Sequence, residues 1–274
     1  MKTSAVLGLV AGVSAAAFGF MTAGCAATKA ADGVDPSLAD GGAADSAGAE
    51  EEELTVVEGK SGTLFSGTAK SFAKVKADGT VASVGVVFSL TGFTAAPKSH
   101  DFQDDLVLDM PDVAKEQTML HHLRANWLPA GHGPTPYGEP HFDFHFLRGT
   151  RAEIDAIECR ADKTMPKADK IPEGYGKPEL CVNAMGYHSW PKADTSGGKF
   201  TASLIMGYWK GNVVFLEPMI PVSTLKKKQT FEVPIAKPAS AGGATTLYPT
   251  RMVATWLEDT EEYSFEFGSF ETID

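Results

Sequence analysis

The segment from residue 141 to residue 146, with the sequence HFDFHF, alternates polar and aromatic side chains without interruption. A period of two residues is that of a β-strand, in which successive side chains point to opposite faces. One face of this strand carries His141, Asp143 and His145, and the other carries three phenylalanines. A row of imidazoles and a carboxylate backed by aromatic rings differs from an ordinary solvated face. It predicts a polar site inside or at the mouth of a β-structure.

Signals for β-strands dominate the rest of the region that we expect to fold. Short loops containing glycine or acidic residues separate apolar runs and predict hairpins. The expected strands are residues 81–90, 118–127, 200–209 with 213–216, and 251–257 with 262–270. Helix signals are few: residues 150–159 begin with a capping box formed by Thr150 and Glu153, and residues 222–228 predict a short turn. We therefore expect a mainly β fold, an antiparallel barrel or sandwich with one or two short helices.

The N-terminus predicts an exported lipoprotein. Lys2 precedes an apolar run of small residues, which ends in Thr-Ala-Gly-Cys at residues 22–25 and resembles a bacterial lipobox. We expect residues 1–24 to be a lipoprotein signal peptide and Cys25 to carry the lipid; plain secretion or an uncleaved anchor is the alternative. Residues 25–53 hold almost no large apolar side chain and predict a flexible acidic tether. A single β-rich domain should then occupy residues 54–274.

Charge and export together limit the expected partners. The formal net charge is −11, and the sequence has no basic patch, so we expect no nucleic-acid partner. The lipid anchor predicts attachment to a membrane of the cell envelope, the outer membrane if the cell has one. A homo-oligomer is compatible with the sequence.

The two cysteines of the expected domain predict a disulfide. Cys159 and Cys181 remain once Cys25 is assigned to the lipid, and exported proteins meet an oxidising environment. The bond would close a loop rich in proline and glycine and stabilise the fold by about 3 kcal/mol through loop-closure entropy. Two buried free thiols are the alternative.

Strand geometry limits which polar residues can share a metal ion. Positions i and i+4 of a strand lie about 13 Å apart, so His141 and His145 should not bind one ion, whereas Asp143 can join either. Other ligands must come from elsewhere in the sequence. The best candidates are His132 in the preceding loop and two residues in apolar settings, His188 and Glu217. These six residues could bind zinc, iron, manganese or nickel; a hydrogen-bonded structural cluster or an exposed polar face are the alternatives.

Several of these segments resemble a family of secreted bacterial proteins of uncharacterised function that includes a thermophile member controlled by an extracytoplasmic sigma factor. The resemblance rests on the sequence from Gly131 to Pro134, on PHFDFHF at residues 140–146, on MGYH at residues 185–188 and on FLEPM at residues 215–219. It spans roughly residues 60–274 and implies a β-rich fold in the cell envelope, with the same six polar residues matching the family's motifs. Leu147 departs from the pattern, in which an aromatic residue is common.

Two classes of function follow from the sequence. One is a metal-binding lipoprotein of the cell envelope, whose chemistry, if it is an enzyme, would be cupin-like or cyclase-like. The other is a structural or stress-related surface lipoprotein whose histidines form a hydrogen-bonded scaffold without catalysis.

Overall fold

Two antiparallel β-sheets pack face to face around a core of aromatic and aliphatic side chains. The structure, a computed structural model, describes residues 53–274. The expected signal peptide, the expected lipidation site at Cys25 and the expected tether up to residue 52 lie outside these residues. Of the two architectures that the sequence predicts, the sandwich is the one observed, and the sheets do not close into a barrel.

Thirteen strands and four short helices make up the described part of the chain. The strands are β1 (Thr55–Leu64), β2 (Gly67–Val75), β3 (Val81–Ser89), β4 (Leu106–Asp109), β5 (His122–Leu128), β6 (His141–Leu147), β7 (Leu180–Val182), β8 (Gly186–Ser189), β9 (Ser203–Trp209), β10 (Asn212–Pro221), β11 (Phe231–Pro234), β12 (Thr246–Leu257) and β13 (Glu262–Ile273). The helices are α1 (Leu90–Thr94), α2 (Asp112–Gln117), α3 (Arg151–Asp155) and α4 (Val222–Leu225).

Strand order places β6 near the centre of its sheet. The first sheet has the order β1-β2-β3-β13-β12-β11, and the second has the order β4-β5-β6-β10-β9-β8-β7. The three phenylalanines of β6 face the first sheet, as the alternation predicts. The ring of Phe144 lies 5.1 Å from that of Phe265, and the ring of Phe146 lies 4.5 Å from that of Phe267, both distances between centroids. The polar residues of β6 consequently point away from the core between the sheets.

Three sequence predictions need correction in detail. The strand expected from residue 118 begins at His122, because α2 ends at Gln117 and Thr118 is its C-cap. The strand expected to end at residue 216 continues to Pro221, which places Glu217 within β10. The described residues form four short helices, not one or two. The capping box at the start of α3 is confirmed by both of its hydrogen bonds.

A second apolar cluster covers part of the outer face of the second sheet. It joins Leu147 and Met219 on the strands to side chains from the connecting segments, among them Ile154, Met185 and Phe200. This cover shields the polar row of β6 from bulk solvent, and Asp143 and His145 are buried as a result. In the described part of the chain, no helix is long and apolar enough to cross a membrane.

The predicted disulfide between Cys159 and Cys181 is present in the structure, and the two cysteines are separated by 22 positions. It ties the segment after α3 to β7. Reduction should lower the free energy of unfolding by about 3 kcal/mol, because the unfolded chain regains loop entropy. Urea unfolding with and without dithiothreitol measures this loss. A variant with serine at both positions should not respond to the reductant; an equal response in both proteins would contradict the prediction.

Candidate functional site

The register of the second sheet brings Glu217 next to the polar row of β6. Leu216 pairs with Phe146 and Met219 pairs with Asp143, so the register places Glu217 across from His145. On the far side of β10, Glu217 pairs with Ile205 of β9. His188 comes from β8, where it pairs with Gly207 of β9. The antiparallel pairings of β6 with β10, of β10 with β9 and of β9 with β8 thus bring together His145, Glu217 and His188, which are far apart in the sequence.

Gly207 leaves room for the aromatic ring that supports this site. A Cβ atom at Gly207 would lie 1.9 Å from a ring carbon of Phe215, so a side chain at this position would displace the ring. The ring centroid of Phe215 lies 5.1 Å from that of His145 and 4.9 Å from that of His188. One phenylalanine therefore packs against two candidate ligands and restricts the orientation of both imidazoles.

His145, His188 and Glu217 form the first of two groups, which we call the Glu217 centre. The Nε2 atom of His145 lies 3.4 Å from Oε1 of Glu217, and the Nε2 atom of His188 lies 3.8 Å from Oε2. All three side chains are buried. Both ring nitrogens of His145 and Oε2 of Glu217 form no hydrogen bond within residues 53–274.

His132, His141 and Asp143 form the second group, which we call the Asp143 centre. The Nε2 atom of His132 lies 3.4 Å from Oδ2 of Asp143, and the Nε2 atom of His141 lies 3.0 Å from Oδ1. His141 and Asp143 are buried, whereas 32% of the His132 side chain is exposed. His132 reaches the group from the loop between β5 and β6, as the sequence predicts.

Backbone carbonyl groups fix the orientation of three of the four imidazoles. The Nδ1 atom lies 2.7 Å from the Gly133 oxygen in His132, 2.7 Å from the Glu139 oxygen in His141, and 3.1 Å from the Gly186 oxygen in His188. A carbonyl oxygen only accepts, so each Nδ1 must donate its proton. In a neutral ring, Nε2 then carries a lone pair that faces the carboxylate. Metal-binding histidines are commonly held in this way.

Burial is the largest cause of the pKa shifts in the Glu217 centre. It lowers the pKa of His145 to about 3 and that of His188 to about 4, so both imidazoles are neutral at physiological pH. Burial, followed by the negative charge of Asp143, raises the pKa of Glu217 well above its usual value. Burial therefore favours the neutral acid form of Glu217 in the metal-free protein, since no cation among the described residues lies beside it to balance a carboxylate charge.

The Asp143 centre has the opposite electrostatic character. Burial alone would raise the pKa of Asp143, but the contacts with His132 and His141 in their protonated forms outweigh it and hold this pKa well below the usual range. Burial opposes protonation of His132, yet the contact and charge of Asp143 prevail and raise its pKa. Asp143 is consequently a carboxylate at neutral pH, and its charge favours the protonated form of His132.

Both centres face one cavity of about 450 Å³. Its polar wall is formed by His132, Asp143, His145, His188 and Glu217, while the fully buried His141 lies behind Asp143. Its other walls are mainly apolar: Phe102, Leu128, Leu180, Val182, Met185, Trp190 and Ile205. Among the described residues, no lysine or arginine lines it. The volume lies within the range of about 300–1,000 Å³ that is typical of small-molecule sites.

The structure thus brings together the six residues that the sequence singled out, but in two groups of three. His141 and His145 belong to different groups, as the distance limit along a strand requires. The sequence predicts that His132, Asp143, His188 and Glu217 converge on one polar site, and all four line one cavity. Within it, Asp143 and Glu217 each have their own pair of imidazoles. Sequence reasoning missed the support that Gly207 and Phe215 provide and the apolar walls of the cavity.

Comparison with known proteins gives one partial match. The model of a family described as TTHB210-like, hypothetical protein TTHB210, matches residues 77–127. The chain is similar to this family over a segment that runs from the turn before β3 to the next-to-last residue of β5 and ends before the first candidate ligand. Comparisons with curated proteins and with solved structures return no match. The family description names no reaction and no cofactor.

Proposed function

We propose that this protein binds a divalent transition-metal ion in the cell envelope, and that the Glu217 centre holds it. The observation that carries the proposal is the position of a buried carboxylate between two buried neutral imidazoles. Two imidazoles and a carboxylate are a ligand set found at zinc, iron, manganese and nickel sites. This set does not select among the four metals.

The separations in the Glu217 centre suit coordination better than hydrogen bonding. Ligand atoms about 2.0–2.2 Å from one tetrahedral ion lie about 3.3–3.6 Å from each other. The two nitrogen–oxygen distances, 3.4 and 3.8 Å, lie at or just above this range. Hydrogen bonds between nitrogen and oxygen are shorter, about 2.7–3.2 Å. Small side-chain movements would therefore bring all three ligands to one ion.

A scaffold held by hydrogen bonds explains this centre less well. The Nδ1–H group of His188 donates to Gly186, so its Nε2 accepts and requires a donor. His145 makes no such bond, so its Nε2 can carry the proton and donate to Oε1 of Glu217. The proton that Nε2 of His188 needs would then have to come from Oε2, which lies 3.8 Å away, a separation too long for a hydrogen bond. A cation satisfies both nitrogens and the carboxylate together.

Replacing Glu217 with glutamine tests the proposal, because the amide keeps the shape of the side chain and removes its charge. Wild-type protein covering residues 53–274, incubated with Zn²⁺ and then dialysed, should retain zinc by elemental analysis, and Glu217→Gln should retain one equivalent less. His122→Gln is the matched control, since this buried histidine of β5 belongs to neither centre. Equal zinc contents in wild type and Glu217→Gln would contradict the assignment.

We also propose that a lipid on Cys25 attaches the protein to the envelope membrane. The support is the lipobox-like ending of the apolar N-terminal run. Cys25→Ser should leave the precursor unprocessed or release the protein from the membrane fraction, because serine cannot form the thioether to the lipid. Fractionation and electrophoretic migration of the full chain measure both effects. Wild-type behaviour of the variant would rule out the anchor.

A further inference from the structure

In the Asp143 centre, hydrogen-bond acceptors face one another without a donor between them. His132 and His141 each use Nδ1–H for a backbone carbonyl, so in their neutral forms both direct an Nε2 lone pair at Asp143. In His141 this lone pair lies 3.0 Å from Oδ1. Neither of these two atoms forms a hydrogen bond within residues 53–274. Two acceptors at this distance repel each other unless a positive charge lies between them.

We propose that the Asp143 centre binds a second divalent transition-metal ion, independent of the ion in the Glu217 centre and facing the same cavity. This goes beyond the proposed function, which requires one ion. The three ligand atoms lie within 4.8 Å of one another, and the two imidazoles already have the carbonyl partners that hold metal-binding rings in place.

One divalent ion serves both nitrogens and the carboxylate at once. A proton between His141 and Asp143 would complete only that pair, and Nε2 of His132 would then remain a free acceptor at the cavity wall.

The two centres cannot share one ion. His141 and His145 lie four positions apart on β6, about 13 Å along the strand, whereas a metal ion reaches ligands only to about 2.0–2.2 Å. Asp143 lies beside His141 and Glu217 lies beside His145, so each group of three needs its own ion.

Exposure predicts that the second ion exchanges faster. His132 is partly exposed, whereas the ligands of the Glu217 centre are buried. His132 and Asp143 also line the cavity directly, so solvent and chelators can approach this ion. Its fourth position would face the cavity, as in metal sites that keep a position open for water or a ligand.

The test is a count of metal ions in wild type and two single variants. Protein covering residues 53–274 is loaded with Zn²⁺, dialysed and assayed, and the release of zinc to a chromogenic chelator is followed over time. Wild type should hold two equivalents and release them in a fast and a slow phase. His132→Ala should hold one and lose the fast phase; this side chain is partly exposed, so the variant is expected to fold. Glu217→Gln should hold one and lose the slow phase, and His122→Gln should behave as wild type.

Each pattern of results decides one or both proposals. One equivalent in wild type that His132→Ala keeps and Glu217→Gln loses would overturn the second ion and leave the first. One equivalent that Glu217→Gln keeps and His132→Ala loses would support the Asp143 centre and overturn the proposed function. No retained zinc in folded wild-type protein would overturn both. Nitrogen-15 spectra of the imidazole rings provide a second readout, since Nε2 of His132 and His141 should shift when zinc is added.

Discussion

Replacing Phe215 with alanine is expected to lower the free energy of unfolding by about 3–5 kcal/mol, the usual cost of removing a buried phenylalanine. Phe215 is fully buried, and its ring occupies the space above Gly207. The ring also packs against His145 and His188. The variant should therefore bind zinc at least about tenfold more weakly, as is typical when a group that orients metal ligands is lost. Urea unfolding and zinc titration measure the two effects.

Phe267→Ala is the matched control for this experiment. Phe267 is also fully buried, and it packs against Phe146 in the core between the sheets, on the opposite face of β6 from the metal ligands. Its loss should destabilise the fold by a similar amount and leave the zinc affinity of the folded protein nearly unchanged. If both variants lose zinc affinity equally, the effect is one of general stability, and the orienting role of Phe215 is wrong.

Removing metal should lower the melting temperature of the wild-type domain by about 5–11 °C. An ion present at 100 times its dissociation constant stabilises the folded state by about 2.7 kcal/mol. For a domain of 150–250 residues, each kcal/mol corresponds to about 2–4 °C. Calorimetry of the zinc-loaded protein with and without chelator measures the shift. It should be smaller in Glu217→Gln, which retains only the Asp143 centre. The same melting temperature for wild type under both conditions would contradict metal binding to the folded state.

The sequence predicted β6 from its regular hydrophobic period. The alternation in β6 identified both of its faces, because each phenylalanine must reach the core and each polar residue must then lie opposite. The first strand, β1, was missed for the converse reason. Most of its side chains are exposed, so it has no apolar alternation, and its pairing with β2 rests on backbone hydrogen bonds. An edge strand of this kind leaves little trace in its own sequence.

The candidate residues could be read from the sequence, but their grouping could not. Glu217 is paired with His145 and not with Asp143 because of the register between β6 and β10, which depends on connections elsewhere in the chain. The ring of Phe215 on β10 occupies the space that Gly207 on β9 leaves open. This contact joins two strands, and no local sequence pattern predicts it. The distance limit along β6 was the one geometric statement that the sequence could make about the site. It correctly separates His141 from His145.

The most direct test of the central claim is anomalous X-ray diffraction from crystals grown with Zn²⁺, measured on both sides of the zinc absorption edge. We expect a peak about 2.0–2.2 Å from Nε2 of His145, from Nε2 of His188 and from a carboxylate oxygen of Glu217. Zinc sites only on the protein surface, with these three side chains in their present contacts at saturating zinc, would contradict it.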